Sequence, residues 1–577
     1  MKNILSHLRS YKKEMVLSPL FKLLEACFEL FVPLVVASII DVGIRGQNSS
    51  HIVKCALLMA LLGLVGLLCA VTAQFFAARA AVGFAKGLRG SLFRHIQALS
   101  YTELDTIGSS SLITNMTSDV NQLQTGVNLV LRLFLRSPVI VFGAMIMAFT
   151  IDAREAITFV ILIPALSVVV FGIMLAGIPL YKKVQKKLGN MLGITRENLS
   201  GVRVVRAFHM EKTEKEKFHA ANEDFTASQK LVGGISALMN PLTFVLVNVA
   251  IVILIHRGAF QVNSGNLTQG ELIALYNYMS QILVELVKLA NLIITVTKAA
   301  ASGNRLAAVL GTAPREPEAI DTHKESKCEE AIRFENVSLR YEGAGDESLS
   351  NISFALKKGQ TLGIIGSTGS GKSTLVSLIP RFYPATSGSI FIAGHPIDSY
   401  SDETLRKKIG IVPQKAVLFK GTVRSNLQLG NAEADEGTLK EALEASQAWD
   451  FVMQKPNGLD APVEQGGKNF SGGQRARLTI ARALAMRPEI LILDDSTAAL
   501  DYATDAALRK AIRTLPYCPT TIIVSQRTAS LRLADLILVL NDGEAVGLGT
   551  HEELMESCPV YKEIHESQFK APKGGRI

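Results

Sequence analysis

Six apolar runs, each long enough to cross a bilayer, govern what this chain can fold into. A helical span needs about 20 mainly apolar residues. The runs cover roughly Val16–Ile40, Cys55–Ala73, Leu129–Ile151, Ala156–Leu180, Ile235–Ile255 and Leu272–Val296. The third carries Arg132 and Arg136 near its start, where long cations are expected to snorkel to the membrane surface. All six end by Val296 in a chain of 577 residues that is 48% hydrophobic overall. That bunching excludes a soluble globule and leaves the second half to form a separate domain.

The connections set the expected orientation. Asp41–Lys54, Asp152–Glu155 and His256–Glu271 are short. The two others run to about 50 residues and are rich in cations: Arg79, Lys86, Arg89 and Arg94 in one, Lys182, Lys183, Lys186, Lys187, Arg203 and Arg206 in the other. Basic loops stay in the cytosol, so both termini are expected there. The same reasoning accounts for the net charge of +9 without a nucleic-acid surface. Helical periodicity persists through both long connections, with breaks near Gly108 and Gly201. They read as helical hairpins reaching into the cytosol, with tips near Ser100–Ser111 and Arg203–Lys212. The opening stretch, with Lys2, Arg9, Lys12 and Lys13, runs into the first span without a cleavage site. The six cysteines have no metal-like spacing and read as isolated thiols in a reducing compartment.

Residues 1–310 therefore form the membrane domain. Residues 311–330, with Pro314, Pro317 and many charges, read as a linker, and 331–577 as an α/β domain of short apolar strands alternating with helices. Within it, Gly366, Ser367, Thr368, Gly369, Ser370, Gly371, Lys372 and Ser373 follow the phosphate-binding pattern GxxxxGK(S/T). Glycines permit a tight loop whose N–H groups cradle phosphates; the lysine reaches the β- and γ-phosphates, and the serine ligates Mg²⁺. The context fits: a strand-like run, Thr361–Ile365, precedes the loop, and a helix-like run beginning at Thr374 follows it. A second apolar strand, Ile490–Leu493, ends in Asp494, a carboxylate placed to hold Mg²⁺ through water.

Between these motifs stands Phe470-Ser471-Gly472-Gly473-Gln474, which resembles the LSGGQ signature of ABC transporters, with Phe for the first Leu. Gln414, in Val-Pro-Gln-Lys, resembles the Q-loop glutamine, a Mg²⁺ and water contact. Tyr341 resembles the aromatic that stacks on adenine, and Ala499-Leu500-Asp501 the D-loop. Six spans followed by one cassette is the half-exporter layout. The resemblance thus covers the whole chain, and it is nearest to the bacterial drug-exporter type. It implies ATP and Mg²⁺ as ligands and two cassettes closing head to tail. Each ATP would lie between the P-loop of one chain and Ser471, Gly472, Gly473 and Gln474 of the other, so a second half-transporter is required.

Two positions depart from the family pattern, and both concern hydrolysis. The acid after Asp494, normally a Glu serving as base, is Asp495, one methylene shorter. Gln526 stands where the family has a His beside the γ-phosphate. A misplacement near 1 Å can cost about 10²-fold in rate. The pattern resembles the degenerate-site subunit of bacterial heterodimeric ABC exporters, which binds ATP, hydrolyses it weakly and lends its signature to a competent partner. A homodimer with tolerated variants is the other reading. Val463-Glu-Gln-Gly-Gly467 also departs from the usual VGERG-like run.

In the membrane domain, Glu25 and Glu29 share a helix face, and Asn277, Gln281, Glu285 and Lys288 form a polar stripe in the last span. Ionisable groups inside a membrane face the bundle or a water-filled path. Two readings stand. The acids line a substrate path that favours cationic amphiphiles, or Glu285 pairs with Lys288 or with a partner's residues. The function expected is ATP-driven export of amphipathic small molecules by alternating access. A homodimeric exporter of a lipid, peptide or cofactor, and an ATP-gated channel or regulator, are the alternatives.

Overall fold

In the computed structural model, residues 2–312 and 328–569 are described, so most of the expected linker, including Pro314 and Pro317, lies outside the described residues. The chain divides into two compact units, Met1–Ala98 with Ile107–Thr312, and Leu99–Thr106 with Ala313–Ile577.

The first unit is all helix. Among the described residues, six helical stretches are long and apolar enough to cross a membrane: Ser6–Ile44, Ser49–Ala98, Ser109–Ile151, Ala153–Ser200, Glu211–Asn263 and Gln269–Gly311. Each contains one of the six runs read from the sequence. Their surfaces explain why they need lipid. On helix Ser49–Ala98, Leu57, Leu61, Leu64, Leu68, Val71 and Phe75 recur at spacings of three and four and are 55–66% exposed. A stripe of that kind would be an aggregation site in water, whereas a bilayer solvates it. The same helix buries Ala73, Ala77, Ala80, Ala81 and Ala85, small side chains that let neighbouring helices approach closely. Pro19 and Pro33 lie inside helix Lys12–Ser38, and Pro164 and Pro179 inside helix Ala153–Ser200.

The chain reverses where glycine was expected to break it. Helix Tyr101–Ile107 ends at Gly108, whose φ of 79° favours a residue without Cβ. Gly201 separates helix Ala153–Ser200 from the short helix Val202–Ala207. The third span differs from the continuous run expected. It divides into helices Val120–Leu133 and Arg136–Ile151, with a turn at Phe134 and Leu135. Pro138 supplies the reason: it has no N–H for the carbonyl four residues earlier, that of Phe134. Arg136 thereby falls on the first turn of a helix, and it is itself buried. It does not snorkel.

The second unit is α/β. Strands β1 (Glu330–Leu339), β2 (Leu349–Lys357), β4 (Ser387–Ile392) and β5 (His395–Pro396) form an antiparallel sheet in the order β2-β1-β4-β5. The main sheet runs β12-β11-β3-β10-β9-β6, where β3 is Thr361–Gly366, β6 Ile409–Val412, β9 Ile490–Asp494, β10 Thr520–Val524, β11 Leu536–Asn541 and β12 Glu544–Gly549. All pairs in it are parallel except β11 with β12, and a separate short antiparallel pair joins β7 (Gly421–Thr422) to β8 (Pro462–Val463). Every residue of β3 and β10 is buried, as central parallel strands covered on both faces require. One apolar core packs β1, β2 and helix Lys372–Leu378 on this sheet, and another packs helices Gly472–Leu484 and Tyr502–Arg513. The segment Leu99–Thr106 belongs to this unit. Tyr101 stacks on Phe382 with ring centroids 4.4 Å apart, and Tyr383 OH donates to Asp105 Oδ2 at 2.5 Å.

Candidate nucleotide site

The register of the main sheet gathers the site. Val524 pairs with both Ile364 and Asp494, so β3, β10 and β9 end nearly level. The P-loop follows β3, Asp495 follows β9, Gln526 lies two residues beyond β10, and Gln414 two beyond β6. Loops at the carboxyl ends of adjacent parallel strands are where such sheets bind ligands.

The P-loop needs its glycines. A Cβ on Gly366 would sit 2.1 Å from Leu540 O and 2.5 Å from Ser370 Oγ. Gly371 has φ 93° and caps helix Lys372–Leu378; a Cβ there would meet Ser348 O at 2.8 Å. Lys372 Nζ folds back over the loop, donating to Gly366 O at 2.9 Å and Ser367 O at 2.5 Å. An ammonium held by carbonyl oxygens at the mouth of a helix N-terminus is placed to exchange them for phosphate oxygens. Burial pushes the Lys372 ammonium below its ordinary pKa, while the charges of Asp495 and Asp494 act the other way. Tyr341 OH donates to Thr374 Oγ1 at 3.2 Å, and its ring meets Tyr383 edge-on at 5.1 Å. The aromatic expected at adenine thus stands beside the P-loop helix.

Ser373 Oγ donates to Asp494 Oδ1 at 3.1 Å. Burial raises the Asp494 carboxyl, the Ser373 bond opposes the rise, and the neighbouring Asp495 charge adds to it. Two oxygens this close, on a carboxylate that burial disfavours as a lone anion, fit a hard divalent cation; Ser373, Asp494 and Gln414 would hold Mg²⁺ there. Asp495 has a left-handed backbone, φ 45°, and its N–H donates to Val524 O at 3.1 Å. Non-glycine residues take that conformation at a cost of about 1–2 kcal/mol, and such strain clusters at functional sites. Burial raises its carboxyl too, opposed by the charges of Lys372 and Arg527 and by a side-chain hydrogen bond from Gln414. The Gln526 side chain is exposed at the end of β10.

The signature stands apart. Ser471 caps helix Gly472–Leu484 in a closed box: its Oγ accepts from Gln474 N–H at 3.2 Å, and Gln474 Oε1 accepts from Ser471 N–H at 3.0 Å. A Cβ on Gly472 would meet nothing. Among the described residues, no hydrogen bond joins Ser471–Gln474 to the P-loop of the same chain. In Val463–Gly467, Gly466 and Gly467 have φ of 72° and 66°, a turn that ordinary residues do not favour. Arg527 went unremarked in the sequence. Its guanidinium donates to Leu500 O and Ala498 O and lies 5.1 Å from the Tyr502 ring centre, tying the Gln526 loop to the D-loop.

Motif for motif, the cassette follows one family, and direct comparison agrees. The profile of the ABC transporter transmembrane region matches residues 15–286, and that of the ABC transporter cassette matches 349–498. The chain belongs to the ABC transporter family. It is a half-transporter of that family, a multi-pass membrane protein whose cassette makes it an ATP-hydrolysing transporter. It is 35% identical to the ABC transporter ATP-binding protein YfiB of Bacillus subtilis (strain 168), covering 99% of each chain. It is 31% identical to the ATP-dependent lipid A-core flippase of Syntrophus aciditrophicus (strain SB), over 85% of this chain and 81% of that protein. Identity is 29% with the putative multidrug export protein YgaD of B. subtilis, over 98% and 99%. The solved structure of a bacterial Atm1-family ABC exporter with ATP bound matches with a TM-score of 0.80 at 23% identity, covering 98% and 99% of the two chains. It shares the fold.

This ABC half-transporter carries a second group of polar residues in its membrane unit. Glu29, Asn277, Gln281, Glu285 and Lys288 line one cleft of about 460 Å³ with Val32, Pro33 and Val284; Glu25 is not part of its wall. The acids are not free. Arg136 donates to Glu285 at 2.5 Å and to Glu29 at 2.6 Å, and lies 3.8 Å from Glu25. Lys22 pairs with Glu25 at 2.6 Å, and Lys288 pairs with Glu285 at 2.8 Å. Glu285 also accepts from Ser137. Three carboxylates thus meet three cations. The pairing of Glu285 with Lys288 is present, and Arg136 adds to it.

Proposed function

We propose that this chain is one half of a heterodimeric ATP-driven exporter of amphipathic molecules in a bacterial cytoplasmic membrane, with both termini in the cytosol. It binds Mg²⁺·ATP through Tyr341, the P-loop, Gln414 and Asp494. It hydrolyses that ATP weakly, and it lends Ser471–Gln474 to a partner whose own acid and His are intact. The observation that carries this reading is the short acid Asp495 at the end of β9, with glutamine at 526 just beyond the neighbouring strand β10. Both substitutions weaken activation of water and spare nucleotide binding. ATP closes the two cassettes, and the cytosolic hairpins carry that closure to the spans.

The charge balance around Arg136 favours an amphipathic substrate without a preference for cations, since no net negative charge is left over in the cleft. A lipid is the second reading, supported by the flippase among the relatives and by the apolar wall of Val32, Pro33 and Val284. The test of assembly is purification of the tagged chain from native membranes in mild detergent, followed by sequencing of what accompanies it. A different half-transporter in equal amount is expected; copies of this chain alone would establish a homodimer instead.

A further inference from the structure

The loop that carries Gln526 is held from the C-terminal side of the cassette. Helix Pro559–Phe569 presents Tyr561, Ile564, His565 and Gln568 on one face, at spacings of three and four. Tyr561 is fully buried, with its hydroxyl 2.8 Å from His551 Nδ1, and Ile564 packs on the same core. That anchor delivers the last two residues to the loop. Gln568 Oε1 accepts from Thr528 N–H at 3.0 Å and from Thr528 Oγ1 at 3.1 Å, and Gln568 Nε2 donates to Gln526 O at 2.7 Å. His565 Nδ1 lies 3.1 Å from Thr528 Oγ1. On the opposite side, Ser525 N–H donates to Ile364 O and Ser525 Oγ accepts from Arg527 N–H. The backbone around Gln526 is therefore fixed on both sides, and its side chain is the exposed part.

We infer that Gln568 is a positioning residue for the nucleotide's terminal phosphate. Seated by Tyr561 and His565, it clamps Gln526–Thr528 so that the Gln526 amide is set at the end of β10 before ATP arrives. The inference rests on the proposed role of Gln526 at the γ-phosphate. It separates terminal-phosphate recognition from nucleotide binding in general, because ADP lacks the group that Gln526 would meet.

The test uses the full-length transporter and photolabelling of this chain with an azido-ATP, competed by ATP or by ADP. Gln568→Ala should weaken competition by ATP about 3- to 10-fold, the equilibrium change that the loss of a hydrogen bond of ordinary net strength produces. Competition by ADP should stay unchanged. Gln568→Glu keeps the acceptor for Thr528 but loses the donor to Gln526 O, and it should behave alike in a variant of native size. Gln526→Ala should show the same ATP-specific loss, and adding Gln568→Ala to it should cost nothing more, since the two act as one unit. An ATP-specific loss in Gln526→Ala, with both Gln568 variants unaffected, would overturn the clamp and leave the site reading intact. No ATP-specific loss in Gln526→Ala would overturn the role of Gln526 and the clamp with it. Equal loss of ATP and ADP in the Gln568 variants would make the helix a structural support only, which also overturns the inference.

Discussion

Arg136 and Glu285 are 149 positions apart in sequence, yet the Arg136 guanidinium donates to the Glu285 carboxylate at 2.5 Å, and both side chains are more than nine-tenths buried. Through its other nitrogens Arg136 reaches Glu29 and Glu25, so one cation joins helices Lys12–Ser38, Arg136–Ile151 and Gln269–Gly311. Removing one partner of a buried pair strands the other, at about 3–5 kcal/mol. Arg136→Met should therefore lower the thermal stability of the purified protein sharply, and Arg136→Met with Glu285→Met should recover part of it. Thermal unfolding in detergent checks this; an Arg136→Met protein as stable as the wild type would mean that the three helices do not depend on the ion pairs.

Neutralised acids also alter what substitution should do to transport. Glu285→Gln should slow movement of cationic and neutral amphiphiles to similar extents, because it removes a carboxylate partner from Arg136 and Lys288 and disturbs packing rather than removing a charge the substrate sees. Flux of two matched dyes, one charged and one neutral, in inverted vesicles is the measurement. A loss confined to the cation would show that the carboxylate acts on substrate directly.

Lys372→Ala should abolish nucleotide photolabelling of this chain. Its Nζ lies over the P-loop, donating to Gly366 O and Ser367 O, the place where it would meet phosphate oxygens. Transport should slow even with the partner's P-loop untouched. Undiminished labelling would move the nucleotide elsewhere.

Asp495→Asn and Ser471→Arg should differ widely in steady-state ATPase. In the proposed heterodimer the first touches a site through which little turnover passes, so a modest reduction is expected; the second replaces a hydroxyl donor at the partner's working site with a bulky cation. Loss of a single transition-state donor costs about 10²–10³-fold. Turnover of both mutant dimers at saturating ATP distinguishes them. Equal damage would make Asp495 the working base of a self-sufficient half-transporter.

Local signals were legible in the sequence. The P-loop, the strand ending at Asp494 and the signature are each contiguous, and the chemistry of each requires contiguity. The six spans announce themselves because lipid demands unbroken apolar length. The role of Arg136 is not legible in its own run because its surroundings are not local: its partners come from helices more than 100 residues away on both sides, and periodicity within one run carries no information about them. The division of the third span was written in Pro138, but hydropathy averages over a single proline. Gln568 escaped notice for a related reason. An exposed glutamine near a helix end has no composition or spacing that marks it; only the fold brings it to Gln526.

In the proposed dimer, the capping box at Ser471 has a consequence for how two chains meet. Its backbone N–H and one Oγ lone pair are already engaged by Gln474, so the hydroxyl hydrogen is the donor that remains to face outward. Ordering a free loop would cost roughly 1–2 kcal/mol for each residue fixed. Here that ordering is complete within the monomer, and the edge offered to a second cassette is rigid before contact. Closure at this seam is then a matter of collision and charge rather than of folding, and the dimer can open and reclose in every cycle without remaking its own surface.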